Sequence, residues 1–333
     1  MSGDKHPRVQ LVAGEMPIYR LHNLSEDLGV NLYIKRDDLA GAPFGGNKAR
    51  QLEYYLGAAQ AERADAIFIT GAVQSNFVRT AAAAARSLGM KPIVQLEDRV
   101  PGMGVAYHAS GNVLLLRILG AEIVRFPEGE NEEEADAALR LRARQLRGEG
   151  ARPYVIPLSA GNPPLGALGY MRAAEEIAAQ APDFDFVIVP SGSGLTHAGL
   201  LAGLREAGSQ ARVIGSCVRR TASSQAERLG VVLEGLARLA GGASFSPDLP
   251  VHLWDGALAP GYGKVGDAVV DAMKMLARRE GILLDPVYSA KALAAIPALI
   301  SAGTIPKTSR VLFVHTGGLA ATFGYRDVLE AAF

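Results

Sequence analysis

The 333-residue sequence has a single cysteine, a single tryptophan and no net charge. One cysteine excludes an internal disulfide and a cysteine-ligated metal cluster, and we interpret Cys217 as a buried packing residue. Because 34 basic residues balance 34 acidic ones, the charge does not favour a nucleic acid or an anionic membrane as partner. The sequence also lacks a signal-like start and any apolar run long enough to span a membrane. We therefore expect a cytoplasmic protein that binds a small molecule.

Short β-branched runs alternate with longer helical patterns along the chain, which is typical of an α/β fold with mostly parallel strands covered by helices. The length favours two domains over one. Strands are predicted at 32–35, 67–70, 93–96, 122–126, 154–157, 186–190, 213–217 and 311–315, and packed helices at 80–86 and 167–180. We interpret the acidic run 128–134 as a solvated loop that leads into a helix. The segment 241–260 is expected to be a loop near a cleft.

The most informative segment is Phe44–Arg50, in which two glycines precede Lys48 at the start of a predicted helix. Apolar residues at 52, 55, 56 and 59 mark one helix face, and Asn47 is the expected N-cap. The positive end of a helix dipole disfavours an ammonium, so Lys48 should lose its proton more readily than an exposed lysine. A neutral lysine amine can form a Schiff base with pyridoxal phosphate (PLP). The alternative is a glycine turn followed by a solvated lysine.

A second segment, Ser191–Gly199, combines glycines and hydroxyls between a predicted strand and a helix. Such a segment can bind a phosphate, because unpaired backbone N–H groups and the helix dipole point to the same place. It lacks the third glycine of the dinucleotide fingerprint, since His197 occupies that position, and it lacks the Walker pattern. A tight turn without a ligand is the alternative.

Three further polar segments follow the same logic. Gly71–Asn76 also lies between a strand and a helix, and the alternative to a ligand site there is a serine or asparagine that caps the helix. Val311–Gly318 ends a buried strand with the Thr316 hydroxyl and two glycines, at the edge where open α/β sheets bind ligands. Asp285–Ser289 places Tyr288 after a proline turn, where a tyrosine is more often used in packing.

These segments, in this order, resemble the D-cysteine desulfhydrase and aminocyclopropane-carboxylate deaminase family of fold type II PLP enzymes, which are tryptophan synthase β-like. The resemblance runs from Tyr33–Asp38 to His315–Gly318 and includes Trp254–Asp255 and Ala259–Gly263. It implies two open, twisted, mostly parallel sheets flanked by helices. It also implies a small domain, 51–160, inserted in a large PLP-binding domain formed by 1–50 and 161–333, and a homodimer.

The resemblance also implies roles for particular residues and requires no metal. Lys48 would carry PLP as a Schiff base. The other cofactor ligands would be Asn76 at the ring hydroxyl, Ser193, Gly194, Leu195 and Thr196 at the phosphate, and Thr316 at the ring nitrogen. The substrate, a small amino acid, would contact Ser75, Asn76, Phe77, Tyr262 and Tyr288. Of these, Ser75 is a candidate ligand for the carboxylate and Tyr288 for proton transfer.

The implied reaction is β-elimination, in which the Lys48 amine removes the α-proton and a β-substituent leaves. The product hydrolyses to pyruvate and ammonia, and from D-cysteine the leaving group is sulfide. A hydroxyl such as Thr316 opposite the ring nitrogen suits a good leaving group better than long-lived carbanion chemistry.

Four positions bear on the substrate. Ser289 and Thr316 depart from the deaminase pattern, which disfavours opening of the cyclopropane ring, and Phe77 and Thr80 depart from the desulfhydrase pattern. The alternatives are an L-cysteate sulfo-lyase that releases sulfite, with Arg79 or another residue as sulfonate ligand, and a 1-aminocyclopropane-1-carboxylate deaminase. From other classes, a catalytically silent PLP-binding protein and an anion-binding regulator without PLP stay open.

Overall fold

The computed structural model describes residues 5–41, 44–127, 129, 131–181, 183–241 and 245–333. The strands are β1 (Ile18–Arg20), β2 (Asn31–Lys35), β3 (Ala66–Ala72), β4 (Lys91–Glu97), β5 (Glu122–Phe126), β6 (Pro153–Ile156), β7 (Phe186–Ser191), β8 (Arg212–Cys217), β9 (His252–Trp254) and β10 (Arg310–Val314). The helices are α1 (His22–Leu28), α2 (Asn47–Ala61), α3 (Asn76–Ser87), α4 (Val105–Ala109), α5 (Gly111–Ile118), α6 (Glu132–Gly148), α7 (Leu165–Gln180), α8 (Leu195–Glu206), α9 (Ala222–Leu239), α10 (Asp267–Glu280), α11 (Ser289–Ser301), α12 (Leu319–Gly324) and α13 (Arg326–Glu330).

The strands form two sheets. One has six strands in the order β1-β2-β10-β7-β8-β9, with β1 antiparallel and the others parallel. The other has four parallel strands in the order β5-β4-β3-β6. This confirms the predicted α/β class and the eight predicted strands. The domain bounds at 51 and 160 stay a proposal, which is supported by the position of the smaller sheet within that span.

The central strands are apolar on both faces because helices cover both sides of each sheet. In the larger sheet, Val311 lies opposite Leu32 and Phe313 lies opposite Ile188, and all four side chains are fully buried. This register brings the carboxyl ends of β2, β10 and β7 to the same edge. The predicted helices at 80–86 and 167–180 lie within α3 and α7 and are confirmed.

Two strands, β1 and β9, were not predicted from the sequence. Each has three residues, lies at an edge of the larger sheet and is at most half-buried, so it carries no continuous apolar run. The expectation that 241–260 is entirely a loop is therefore wrong at 252–254, and residues 242–244 lie outside the described residues.

The expectation of a solvated acidic loop at 128–134 is wrong at Glu132, which is buried and begins α6. Glu128 and Glu130 lie outside the described residues. Cys217 is buried and free, as predicted. Within the described ranges, no helix combines the length and apolar character that a membrane crossing needs, and no three acidic, histidine or cysteine side chains are grouped to hold a metal ion.

Candidate functional site

A cleft lies where the carboxyl ends of strands from both sheets face each other. Its walls come from the ends of β3, β6, β7, β8 and β10 and from the starts of α2, α3 and α8. Open α/β sheets bind ligands at such edges. Every predicted site residue lines this one cleft: Lys48, Ser75, Asn76, Phe77, Ser193, Gly194, Leu195, Thr196, Tyr262, Tyr288 and Thr316.

Lys48 lies in the first turn of α2 and is half-buried. Its Nζ is 3.4 Å from Gln51 Oε1 and 5.3 Å from the centre of the Phe77 ring. Burial lowers the pKa of Lys48 from the ordinary 10.5 to about 8. The direction agrees with the prediction from the helix dipole, but the cause is loss of hydration. A substantial fraction of the amine is therefore neutral near physiological pH.

The turn before Lys48 requires both glycines. A Cβ at Gly45 would lie 1.5 Å from the Asp38 carbonyl oxygen, and Gly46 has φ of 117°. Gly46 is the N-cap of α2, so the prediction of Asn47 as N-cap is wrong. Asn47 is instead the first helical residue, and its Nδ2 donates to Thr196 Oγ1 at 2.8 Å.

The phosphate segment lies at the start of α8, whose N-cap Gly194 has a left-handed φ of 93°. The first N–H groups of a helix have no partner within it, so they are available to an anion. Thr196 Oγ1 accepts hydrogen bonds from Asn47 Nδ2 and Gln51 Nε2, both at 2.8 Å. With both acceptor sites used, the Thr196 hydroxyl can direct its own proton to a ligand.

Gln51 was not predicted as a site residue, yet its side chain contacts both Lys48 and Thr196. Its Nε2 donates to Thr196 while its Oε1 is the oxygen that faces Lys48 Nζ. Asn47 and Gln51 are one helical turn apart, and this spacing of two amides around Lys48 was the available signal.

Asn76 is oriented by a residue that the sequence analysis missed. Asn112 Nδ2 donates to Asn76 Oδ1 at 2.8 Å, and Asn112 Oδ1 accepts from Arg79 Nε at 3.1 Å. Because the Asn76 oxygen is engaged, its Nδ2 is the group left to donate to a ligand. Arg79 is buried and does not line the cleft, which does not support a role as sulfonate ligand.

Ser75 caps a helix and also faces the cleft. It is the N-cap of α3, and its Oγ accepts from Val78 N at 3.3 Å. It also lines the cleft, so its hydroxyl proton can be donated to a ligand. Thr316 lines the cleft as well, and its backbone carbonyl accepts from Asn47 N at 3.1 Å, which joins the end of β10 to the start of α2.

Two tyrosine hydroxyls meet in the cleft. Tyr262 Oη and Tyr288 Oη are 2.6 Å apart. Burial, followed by the neighbouring Tyr262, raises the pKa of Tyr288 well above its ordinary value, so Tyr288 is protonated near neutral pH. Its loop is held by the Asp285 carboxylate, which accepts from Tyr288 N at 3.0 Å and from the Ser289 hydroxyl at 2.6 Å.

The four positions that depart from family patterns lie in different places. Phe77 and Thr316 line the cleft, whereas Thr80 and Ser289 do not. Thr80 Oγ1 donates back to the Asn76 carbonyl at 2.8 Å, and Ser289 is fully buried against Asp285. The Thr80 side chain is therefore not part of the surface of the cleft.

The cleft also contains charged residues that were not predicted. Arg99, Arg219 and Arg228 line it together with Glu132, which is the one carboxylate among the described residues of the cleft. Arg228 Nη1 is 2.8 Å from Glu132 Oε2, Arg219 also pairs with Glu132, and Arg99 Nη2 is 2.6 Å from Glu97 Oε2. Residues 219 and 228 lie 87 and 96 positions from Glu132 in sequence, so no local pattern indicates the cluster.

A sequence profile described as "Pyridoxal-phosphate dependent enzyme" matches residues 9–317. The D-cysteine desulfhydrase of Salmonella choleraesuis (strain SC-B67) is 39% identical over 324 residues, which are 96% of this chain and 97% of the relative. The chain belongs to this family of PLP-dependent enzymes, which includes D-cysteine desulfhydrases.

Solved structures agree with this assignment. A structure described as an "ACC deaminase homologue" superposes with a TM-score of 0.89 at 37% identity and covers 100% of this chain and 98% of its own. Threonine deaminase isoform 2 from Solanum lycopersicum has a TM-score of 0.67 at 20% identity, with 96% and 88% coverage, and shares the fold. This PLP enzyme has the fold type II architecture that the resemblance implied, with PLP as its cofactor.

The residues of the cleft fit the cofactor. The start of α8 and the Thr196 proton suit a phosphate, the lowered pKa of Lys48 suits covalent attachment, and Asn76 Nδ2 suits a ring hydroxyl. The Asn47–Thr196 bond fixes the lysine turn relative to the phosphate segment. The roles of these individual residues are proposals.

Proposed function

We propose that this enzyme is a β-eliminating lyase that acts on small amino acids with a leaving group on the β-carbon, in the manner of a D-cysteine desulfhydrase. One observation carries the proposal: a lysine amine of lowered pKa, two hydrogen-bonded tyrosine hydroxyls and a helix start with free N–H groups line the same cleft. A base and an acid in one closed site are what elimination requires. The 39% identity to D-cysteine desulfhydrase over 96% of the chain supports it.

Each of these residues would have its own role in the proposed reaction. When bound, PLP withdraws electrons from the α-carbon of the amino acid attached to it. Lys48 would hold the cofactor and would act as the base that removes the α-proton of the substrate; burial keeps part of this amine neutral. Ser75 would donate its hydroxyl proton to the substrate carboxylate. The tyrosine pair would supply a proton at the leaving group, because the raised pKa of Tyr288 makes it a donor and not a base.

The products would be pyruvate and ammonia with the leaving group, which is sulfide for D-cysteine. Asn76 would hydrogen-bond the ring hydroxyl, and Thr316 would face the ring nitrogen. Since a hydroxyl cannot provide a negative counter-charge there, elimination of a good leaving group is favoured over ring opening. The buried contact between Ser289 and Asp285 is a further difference from the deaminase pattern.

A second candidate is the elimination of sulfite from cysteate, which the arginines of the cleft favour. Arg219 lies with its guanidinium 5.8 Å from the centre of the Tyr262 ring, and Arg99 also lines the cleft. Both lie beside the tyrosine pair, where a β-substituent would leave. Two guanidinium groups suit a sulfonate, because each presents several donors and a permanent charge.

A substrate screen tests both candidates. The enzyme is incubated with D- and L-cysteine, cysteate, serine, β-chloroalanine and aminocyclopropane carboxylate, and keto acid and ammonia are measured. Elimination from any β-substituted alanine supports the proposal. Preferred release of sulfite from cysteate selects the second candidate, and absence of turnover on all compounds indicates a catalytically silent PLP-binding protein.

The arginine contribution is tested separately with Arg99→Gln. If Arg99 binds an anionic β-substituent, turnover of cysteate falls while turnover of the neutral β-chloroalanine is kept. Equal losses on both compounds would instead assign the arginine to the α-carboxylate or to the fold. Arg142→Gln is the matched control, since Arg142 makes an exposed ion pair with Glu122 and does not line the cleft.

We also propose that the enzyme is cytoplasmic, as expected from the sequence, and that it is a homodimer, as the family resemblance implies. Light scattering of the purified protein measures the mass, and a monomer at working concentration would contradict the proposal.

A further inference from the structure

Lys291 is fully buried in α11, three residues after Tyr288. Its Nζ donates to two backbone carbonyl oxygens, Leu258 O at 3.1 Å and Gly261 O at 2.9 Å. Lysine is almost never fully buried unless it has partners of this kind. The side chain does not line the cleft, so the chemistry described above does not use it directly.

Both carbonyls belong to the connection between β9 and α10, the segment that carries Tyr262. We name residues 255–264 of this segment the tyrosine loop. It consists of successive tight turns, in which Leu258 N, Gly261 N and Lys264 N donate to the carbonyls three residues earlier. Turns of this kind define the local path of the loop but not its position relative to α11.

The helix that carries Lys291, α11, is anchored to the larger sheet. The Ser216 hydroxyl donates to the Lys291 carbonyl at 2.9 Å, which ties α11 to β8. The same helix begins directly after Tyr288. Lys291 therefore joins the element that carries one tyrosine to the loop that carries the other.

We propose that Lys291 is a positioning residue, which holds the tyrosine loop against α11 and thereby fixes the 2.6 Å contact between the Tyr262 and Tyr288 hydroxyls. This inference rests on the proposed role of that pair in proton transfer. It predicts that removal of the Lys291 ammonium lowers turnover because the Tyr262 hydroxyl is displaced.

The protonation of Lys291 agrees with this role. Burial lowers its pKa to about 8, and the nearby Asp285 carboxylate acts in the opposite direction. The side chain is thus mostly an ammonium near neutral pH and can donate to both carbonyls at once. Methionine has a side chain of similar length but no donor, so this replacement would leave each of the two carbonyls with its turn hydrogen bond alone and would remove the link between the loop and α11.

The test is a double-mutant cycle with β-chloroalanine as substrate. Lys291→Met should lower kcat by about ten- to a hundredfold, the scale expected when a catalytic group is displaced, with PLP content and far-UV circular dichroism unchanged. In a Tyr262→Phe background the same substitution should change kcat by less than about twofold, because the group on which it acts is already absent. Lys291→Gln, which retains a donor, should lose less activity, and it replaces the methionine variant if that variant misfolds.

The matched control is Lys264→Met. Lys264 lies in the same loop and also donates to a backbone carbonyl, Pro101 O at 2.9 Å, but the bond is exposed. This variant should keep wild-type kcat. Equal losses from Lys291→Met in both backgrounds, or no loss at all, would overturn the inference and leave a role in stability only.

Crystal structures of the wild type and of Lys291→Met give a readout that does not depend on turnover. We expect the distance between the two tyrosine hydroxyls to increase beyond hydrogen-bonding range in the variant, and an unchanged contact overturns the inference. Full activity of Tyr262→Phe would refute the proposed role of the pair, and with it the inference. If the enzyme turns over no substrate, the proposed function fails while the crystallographic comparison still decides the positioning.

Discussion

At the scale of single residues, the environment of each side chain decides whether it gives or takes a proton. Burial lowers the pKa of Lys48 to about 8, whereas it raises the pKa of Tyr288 well above the ordinary value. The same loss of hydration favours the neutral form of both groups. A neutral amine is a base and a neutral phenol is an acid, so one physical effect produces the two partners of an elimination.

The covalent attachment of PLP is expected at Lys48. Lys48→Ala should lose the visible absorption of the bound cofactor, because no other predicted site residue carries an amine. Mass spectrometry after borohydride reduction of the wild type should find the adduct on Lys48. Lys91→Ala is the control, since Lys91 is exposed and pairs with Glu122. An adduct on Lys35, Lys91 or Lys264 would show that the assignment is wrong.

The Tyr288 hydroxyl is expected to act in turnover and not in cofactor binding. Tyr288→Phe removes the donor but keeps the ring, and should lower the elimination rate by about a hundredfold to ten-thousandfold, the range for a lost proton-transfer group. Stopped assays of pyruvate release measure the rate, and absorbance measures bound PLP. Tyr19→Phe, at an exposed position, is the control. Loss of PLP together with activity would assign the hydroxyl to the cofactor site.

At the scale of secondary structure elements, the N-terminal parts of α2 and α8 are joined by hydrogen bonds to the Thr196 hydroxyl. The first two turns of α2 supply Asn47 and Gln51, and both donate to Thr196 in the first turn of α8. Each amide is used to orient the hydroxyl, and the hydroxyl is left to donate. The start of α2 therefore carries the lysine and also orients the proposed phosphate ligand, although Asn47 and Thr196 lie 149 residues apart along the chain.

This arrangement predicts that α8 controls cofactor retention. Thr196→Val combined with Gly194→Ala removes the hydroxyl and adds a Cβ at a left-handed φ of 93°, which strains the turn. We expect a largely cofactor-free protein that regains activity only at high added PLP. Equilibrium dialysis measures the affinity.

The control is Thr221→Val at the start of α9. Thr221 caps that helix through Ser224 N at 3.4 Å and lies away from the cleft, so its loss should cost about 1 kcal/mol of stability without a change in PLP affinity. Equal affinity in the double variant and the wild type would place the phosphate elsewhere.

At the scale of the whole molecule, the parts that sequence could predict are those with local signatures. Eight strands follow from β-branched runs, and most of the eleven predicted site residues lie in segments marked by glycines and hydroxyls, whereas Phe77 and Tyr262 follow only from the family resemblance. Glu132, Arg219 and Asn112 have no such pattern, because their partners lie far away in the chain. From sequence alone, an acidic run is predicted to be solvated, and only the tertiary structure shows which arginines pair with it.

Glu132 illustrates what such long-range pairing does. It begins α6, beside the smaller sheet, and pairs with Arg219, Arg220 and Arg228, which follow β8 of the larger sheet. Burial acts to raise the pKa of Glu132, but the three guanidinium groups outweigh it and the net pKa is lowered. The carboxylate thus links elements on both sides of the cleft.

Glu132→Gln is expected to destabilise the fold by about 2 kcal/mol at neutral pH, since it leaves three arginines beside an uncharged amide in a largely buried cluster. A carboxyl with a lowered pKa contributes stability above its unfolded pKa of about 4.5, and this contribution is lost as the pH falls through the folded pKa. The difference in unfolding free energy between wild type and variant should therefore shrink toward about pH 3.5. Urea denaturation at both pH values measures this difference.

Glu122→Gln is the matched control, because Glu122 also pairs with two cations, Lys91 and Arg142, but at an exposed site where such pairs contribute at most about 1 kcal/mol. If Glu132→Gln costs no more than this control at neutral pH, the cluster does not hold the two sides of the cleft together.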